Sequence, residues 1–238
     1  KSIVIITMNF LFTPPEISIT LNNNEGKYAE LKNSENELEV YDLFTNGDTI
    51  SGKITIKPAK AFEHTGIKVQ LVGQIEVLYD SKNPYEFMSY VKELEAPGNF
   101  SIESQTYDYE FENVLFSNDR KQSFETYSDV NIRLRFFIRV IVSRQYLSDV
   151  IQYKDFAVQH LQQQPEKNKT IKMEVGIEDC LHIEFEYNQS KYNLTDIVIG
   201  KIYFLLVRIK IKHMEVVIIK RESTGSGSDT YNDKQNVA

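Results

Sequence analysis

Between residues 181 and 187, Leu181, Ile183, Phe185 and Tyr187 alternate with His182, Glu184 and Glu186. Successive side chains of an extended chain point to opposite faces, so this period of two makes one apolar and one polar face. Asn188, Gln189 and Ser190 supply turn residues, and residues 191–194 resume an extended pattern, which reads as a hairpin. From Lys201 the chain is apolar on both faces through Tyr203, Phe204, Leu205, Leu206 and Val207. It then alternates, with Val207, Ile209 and Ile211 set against Arg208, Lys210 and Lys212. That pattern predicts a strand buried on both sides at one end and on one side at the other. After His213 the phase breaks at Met214, Val216, Val217, Ile218 and Ile219, which predicts a bulge or bend. Lys201 and Arg208 leave only six uncharged residues between them, far short of the roughly 20 that a membrane helix needs.

The same period recurs upstream. Ile17, Ile19 and Leu21 alternate with Ser18 and Thr20, after a Pro14-Pro15 pair and before an Asn-rich turn. Tyr41 to Phe44 leads to the turn Asn46-Gly47-Asp48, and Ile50, Gly52, Ile54 and Ile56 share one face. Ile67, Val69, Leu71, Gly73, Ile75 and Val77 form a long strand in which Gly73 predicts a bend or bulge. Tyr107, Tyr109 and Phe111 alternate with acids, and Ile132, Leu134, Phe136, Ile138 and Val140 alternate with Arg133, Arg135 and Arg139. Residues 84–97 are ambiguous, because Phe87, Val91 and Leu94 fall at helical spacing. Residues 116–123 and 162–169 read as polar loops. Residues 144–154 lose the pattern and are the candidate inter-domain connection, with Phe156, Val158 and His160 resuming a strand.

Roughly eleven or twelve short strands with almost no helix predict a β-sandwich architecture. One ordinary sandwich holds about seven to nine strands, so two sandwiches in series are expected. The expected divisions are residues 8–147, residues 148–222 and a mobile polar tail at 223–238.

Among 238 residues there are 14 Phe and 14 Tyr but no Trp, an enrichment that favours strands. The net charge of −7 argues against nucleic acid as a partner. Residues 201–221 carry six Lys/Arg against Glu215 alone, which reads as the solvent face of a strand. A single cysteine, Cys180, favours a reducing compartment and reads as a small packed thiol. Ile3 to Ile6 is too short an apolar run for a signal peptide, and residues 1–7 precede the first methionine, Met8.

Nothing in the sequence has catalytic spacing. The four histidines, His64, His160, His182 and His213, form no metal-ligand pair, and His64, beside Thr65-Gly66, reads as a satisfied surface or turn residue. The glycines are scattered rather than gathered in a phosphate loop, and there is no G-x-S-x-G elbow. Glycosylation sequons at Asn99, Asn168, Asn188 and Asn193 are accidental matches in an Asn-rich chain. No catalytic residue, cofactor or metal is expected.

Several stretches resemble one family: NFLF at 9–12, NGDTISGK at 46–53, EHTGIKVQLVGQIE at 63–76, EFMSYVKELEAPG at 86–98, YDYEF at 107–111, NIRLRFFIRV at 131–140, and above all residues 171–212. Together they resemble the arrestin-like subunit of retromer, the vacuolar protein sorting-associated protein 26 family. The resemblance implies an all-β, arrestin-like fold of two β-sandwich subdomains in series. In that family the second sandwich continues beyond the position of Ala238, so here it is expected to be incomplete. A polar loop at residues 117–123 departs from the family pattern. The resemblance further implies a non-enzymatic cytoplasmic adaptor, peripheral on endosomal membranes, in endosome-to-Golgi retrograde transport. Its expected partners are the helical-solenoid subunit of retromer, sorting nexins and cargo tail peptides, with indirect membrane association. It also favours an extended strand over a helix at residues 84–97. The groove-lining strand of the family matches Met173, Glu174, Val175 and Gly176, making Met173, Val175 and Gly176 the candidate site residues. The alternative is that Met173 and Val175 are core residues.

Overall fold

The computed structural model describes residues 13–23, 26–32, 37–45, 47–78, 84–112, 114, 124–160, 169–225 and 230–237. Residues 1–12, the loops expected at 117–123 and 162–168, and the sequon at Asn168 lie outside the described residues. The chain divides into two compact units, Lys1–Leu161 and Gln162–Ala238.

In the first unit a small sheet joins β1 (Glu16–Leu21), β4 (Ile50–Lys57) and β9 (Gln105–Phe111), all antiparallel. A seven-stranded sheet is ordered β2 (Tyr28–Lys32), β3 (Leu38–Thr45), β12 (Val150–Gln159), β11 (Ile132–Ser143), β6 (Gly66–Val77), β7 (Tyr85–Glu95), with β10 (Tyr127–Ser128) beside β11. Among the described residues its only parallel pairing is the short β12–β3 contact. Two further strands, β5 (Phe62–His64) and β8 (Gly98–Phe100), pair with each other.

The alternating apolar residues meet between the two sheets. Ile50, Ile54, Ile56 and Tyr109 from the small sheet pack in one cluster with Val69, Leu71, Ile138 and Val140 from the large one. Aromatic edges interlock there, Phe156 lying edge-on to Phe44 at 5.3 Å between ring centroids. Tyr109 Oη donates to the Thr20 carbonyl at 2.9 Å and so ties β9 across β4 to β1.

Strand β7 resolves the ambiguity at residues 84–97. It pairs with β6, but its register shifts twice. Gly73 faces Met88 while Gln74 faces Glu86, and Ile67 faces Glu95 while Lys68 faces Glu93, so Phe87 and Leu94 are the extra residues of two bulges. Both pack on the core. Two bulges seven residues apart place apolar side chains at a spacing that imitates a helix. The bulge expected at Gly73 lies at this first shift.

The outward face of β11 does not carry freely solvated arginines. Phe137 points that way, yet it is buried beneath the guanidinium of Arg135, 4.5 Å from its ring centroid, and beside Tyr153. Arg135 reaches Asp155 at 2.5 Å and Glu76 at 3.3 Å, while Arg133 shares Asp155 at 3.0 Å. Burial opposes the charge on Arg135, but Asp155 and Glu76 outweigh it and hold its pKa above the ordinary value. Arg139 forks onto Glu86 and donates Nε–H to Gln70 at 2.6 Å.

Three expectations are corrected here. The division falls after Leu161, not at 147, because residues 150–154 belong to β12, which lies between β11 and β3. Residues 151–154 are exposed on both faces, which erased the alternation that would have marked them. His64 is not a satisfied surface residue. It is buried against Phe62 and Phe100, Nε2 lies 3.6 Å from Glu95 Oε1, and neither ring nitrogen has a hydrogen bond among the described residues. The tail expected at 223–238 contains β17 (Tyr231–Asn236), paired with β16 (Ile219–Thr224).

Beside that hairpin, the second unit holds a three-stranded antiparallel sheet of β13 (Ile171–Ile177), β14 (Leu181–Tyr187) and β15 (Gly200–Val207). The partners of β14 are therefore β13 and β15, not residues 191–194. Those residues form a local turn instead, in which Asn193 N–H donates to Asp196 Oδ2 at 2.8 Å and Asp196 N–H to the Asn193 carbonyl at 3.0 Å. Such side-chain bonds to backbone compete with a sheet ladder. Strand β15 stops at Val207, and residues 208–218 have no strand structure. The expected burial of residues 203–207 on both faces is absent, since Phe204 and Leu205 are half exposed.

At Gly52 an added Cβ would stand 1.9 Å from the Thr20 carbonyl oxygen, an atom of the paired strand that cannot swing away. Gly52→Ala is expected to cost about 3 kcal/mol, as overpacking does at the upper end of its range, and a urea unfolding curve measures it. One buried tyrosine, Tyr109, and two partly buried ones, Tyr107 and Tyr41, set an alkaline limit. Burial raises the hydroxyl pKa of Tyr109, burial with Glu95 raises that of Tyr107, and burial with Glu39 pushes Tyr41 up to about 12. An unfolded tyrosine ionises near pH 10. The stability due to these neutral phenols is therefore complete below about pH 10 and is lost as pH rises through the folded values. The urea midpoint is expected to fall between about pH 10 and about pH 12, and less steeply in Tyr109→Phe than in the parent.

Candidate functional site: an open strand edge

The hairpin of β13 and β14 is built on a tight turn at residues 177–180. Asp179 adopts φ 56°, a left-handed conformation that Asp tolerates better than most residues. Cys180 N–H then donates to the Ile177 carbonyl at 3.0 Å. Arg208 holds the turn from the far side, its N–H donating to the Cys180 carbonyl at 2.8 Å and its guanidinium to the Asp179 carbonyl at 3.4 Å. Next to the turn, a Cβ at Gly176 would meet the Leu181 carbonyl oxygen at 2.8 Å, so glycine permits the close approach of the two strands there.

The register fixes two unlike faces. On one, Ile171, Met173, Val175 and Ile177 stand opposite Tyr187, Phe185, Ile183 and Leu181. On the other, Lys172, Glu174 and Gly176 stand opposite Glu186, Glu184 and His182. The charged face is laced by Lys172 and Glu186 at 3.6 Å and by His182 Nε2 with Glu174 at 3.0 Å and Glu184 at 3.9 Å. The His182–Glu174 contact is not aligned for a hydrogen bond. These are solvent-exposed pairs, each worth well under about 1 kcal/mol.

The sheet order places β13 at an edge, paired with β14 alone among the described residues. Its outer N–H and C=O groups are thus a template for another strand. Met173 and Val175 lie together on the apolar face and are 54% and 52% exposed. Gly176 lies on the opposite face, near the turn. Ile177, 57% exposed, belongs to the same apolar row as Met173 and Val175 and was missed as a candidate, although the period of two already marked it.

The other candidates for chemistry stay apart. His160 Nε2 lies 2.9 Å from the Phe124 carbonyl, His64 sits in the first unit, and His182 is on the charged face of β14. Cys180 is a free, partly buried thiol. Among the described residues, no three His, Cys, Asp or Glu side chains gather to hold a metal ion, and no helix is long and apolar enough to cross a membrane.

Comparison with known proteins places this geometry in context. Residues 11–238 match the family model described as vacuolar protein sorting-associated protein 26. The chain is 50% identical over 227 residues to vacuolar protein sorting-associated protein 26B of Homo sapiens, covering 94% of this chain and 65% of that protein. It is 51% identical to the Danio rerio protein of the same name, covering 94% and 66%. With protein 26B-A of Xenopus laevis it shares 49% identity, covering 94% and 65%. The chain thus spans about two thirds of the length of these relatives. The sporulation control protein Spo0M of Bacillus subtilis superposes with a TM-score of 0.38 at 9% identity, covering 81% of this chain and 91% of that one, a likeness too weak to carry an argument. The family match across nearly the whole chain, with half of the residues identical, shows that this all-β chain belongs to the vacuolar protein sorting-associated protein 26 family.

Proposed function

We propose that the chain acts as a non-enzymatic adaptor of the retromer complex in endosome-to-Golgi retrograde transport. It works from the cytoplasmic side, peripheral on endosomal membranes. Family membership supports protein sorting as the general task. The observation that carries the finer reading is the open edge of β13, where unpaired backbone and a half-exposed apolar row adjoin each other. An extended peptide added there would gain main-chain hydrogen bonds from the edge and specificity from alternate side chains. In this reading Met173 and Val175 receive the apolar side chains of a cargo tail that lies between this chain and a sorting nexin. Gly176 keeps the end of the edge open. The helical-solenoid subunit of retromer binds the second unit, and membrane association is indirect.

Isothermal titration tests the reading in two steps. The chain, beside a version extended to the full length of its relatives, is titrated with the solenoid subunit. A cargo tail peptide is then added with a sorting nexin present. Solenoid binding is expected, and Val175→Asn is expected to weaken the peptide roughly tenfold while leaving the solenoid affinity unchanged. Because Val175 is half exposed, the same variant should shift unfolding stability by no more than about 0.5 kcal/mol. Failure of both versions to bind the solenoid would remove the retromer role. Peptide binding without solenoid binding would instead favour another arrestin-like cytosolic cargo adaptor.

A further inference from the structure

The second unit contains a further piece of strand-like chain that belongs to no ladder, anchored at Arg208 to the Cys180 carbonyl. Residues 208–213 form no strand and are exposed throughout, yet they alternate Ile209 and Ile211 with Arg208, Lys210 and Lys212. A segment of that pattern suits one edge of a two-faced sheet. The β13 sheet has such an edge, with an apolar face and a charged one. The charges are complementary. The polar face and its turn carry Glu174, Glu178, Asp179, Glu184 and Glu186 against Lys172 and Lys201, whereas residues 208–213 carry three cations and no carboxylate.

The two pieces do not meet within one copy. Strands β13 and β15 are both antiparallel to β14, which lies between them, so β15 runs parallel to β13. Arg208 is fixed to Cys180 at the hairpin turn. The chain therefore leaves β15 past the tip of the hairpin, about two strand spacings, or roughly 10 Å, from the open edge.

We propose that residues 208–213 of one copy pair with the β13 edge of a second copy. The apolar Ile209 and Ile211 join the row of Met173 and Val175, and Lys210 and Lys212 face the carboxylates. Reciprocal donation closes a twofold dimer and leaves neither β13 edge open. Self-pairing of this kind occupies the strand edge without any sorting partner, and it stands whether or not the adaptor reading holds.

Sedimentation velocity of the full chain, with no peptide or partner present, tests it. The parent is expected to pass from monomer to dimer as concentration rises. Lys210→Pro removes a backbone donor from a segment that has no secondary structure, so it should leave the fold intact and abolish the dimer. Combined Arg208→Glu, Lys210→Glu and Lys212→Glu should weaken self-association at least roughly tenfold, as should combined Glu174→Lys and Glu178→Lys. An equimolar mixture of the two charge-reversed chains should recover dimer. A parent that stays monomeric at all concentrations, or a Lys210→Pro chain that dimerises like the parent, overturns the proposal. Binding of the monomeric parent to phosphatidylserine vesicles, lost in the Arg208, Lys210 and Lys212 variant, would replace the second copy with an anionic lipid surface.

Discussion

The twelve-residue antiparallel ladder between β6 and β11, from Gly66 opposite Ser143 to Val77 opposite Ile132, is the pairing on which the first unit depends. It aligns Val69, Leu71, Ile138 and Val140 toward the small sheet and leaves Phe137 and the arginines on the other side. A slip of one residue would send every one of these side chains to the wrong face. The bulges in β7 and the outer ion-pair cluster are adjustments to that ladder. Phe87 and Leu94 are squeezed into the core where β7 carries an extra residue, and Asp155 and Glu76 neutralise the cations that the outer face must hold. Removing one member of such a partly buried cluster strands the remaining charge.

The second unit follows the same local rules with a different result. Its hairpin register separates apolar from charged residues as cleanly as the first unit does, but only Ile183 of β13, β14 and β15 is buried. Apolar side chains left half exposed on an ordered sheet are the surface on which the proposed contact rests. The open edge of β13 adds the backbone half of that preparation. Both follow from where the strands end: among the described residues β13 has a neighbour on one side only, and β15 gives way at Val207 to residues 208–218, which belong to no strand.

Much of this was legible in the sequence, wherever one strand face was buried and the other wet. The strands at 16–21, 50–57, 66–77, 105–111 and 132–143 show a period of two because the two faces meet different media. Met173 and Val175 were picked out by the family resemblance, although they alternate with Lys172, Glu174 and Gly176 in the same period. Signals failed where that contrast vanished. Residues 151–154 of β12 are exposed on both faces and carried no phase, which displaced the domain boundary. In β7 the bulged Phe87 and Leu94 wrote a helical spacing onto a strand. The burial of His64 was hidden because Phe62, Phe100 and Glu95, which enclose it, come from three separate strands. The exposure of Met173 and Val175 could not be read either, since alternation reveals which residues share a face but not what covers it.

The central claim is that β13 is an ordered strand with one free edge. Amide hydrogen exchange across Ile171–Ile177, in chain dilute enough to be monomeric, tests it most directly. Amides that point toward β14 should exchange slowly and the alternate ones, which point outward, quickly. Addition of a strand-forming partner should then slow the outward set alone. Uniform slow exchange along β13 in the dilute chain would mean that the edge is already paired, and would contradict the account.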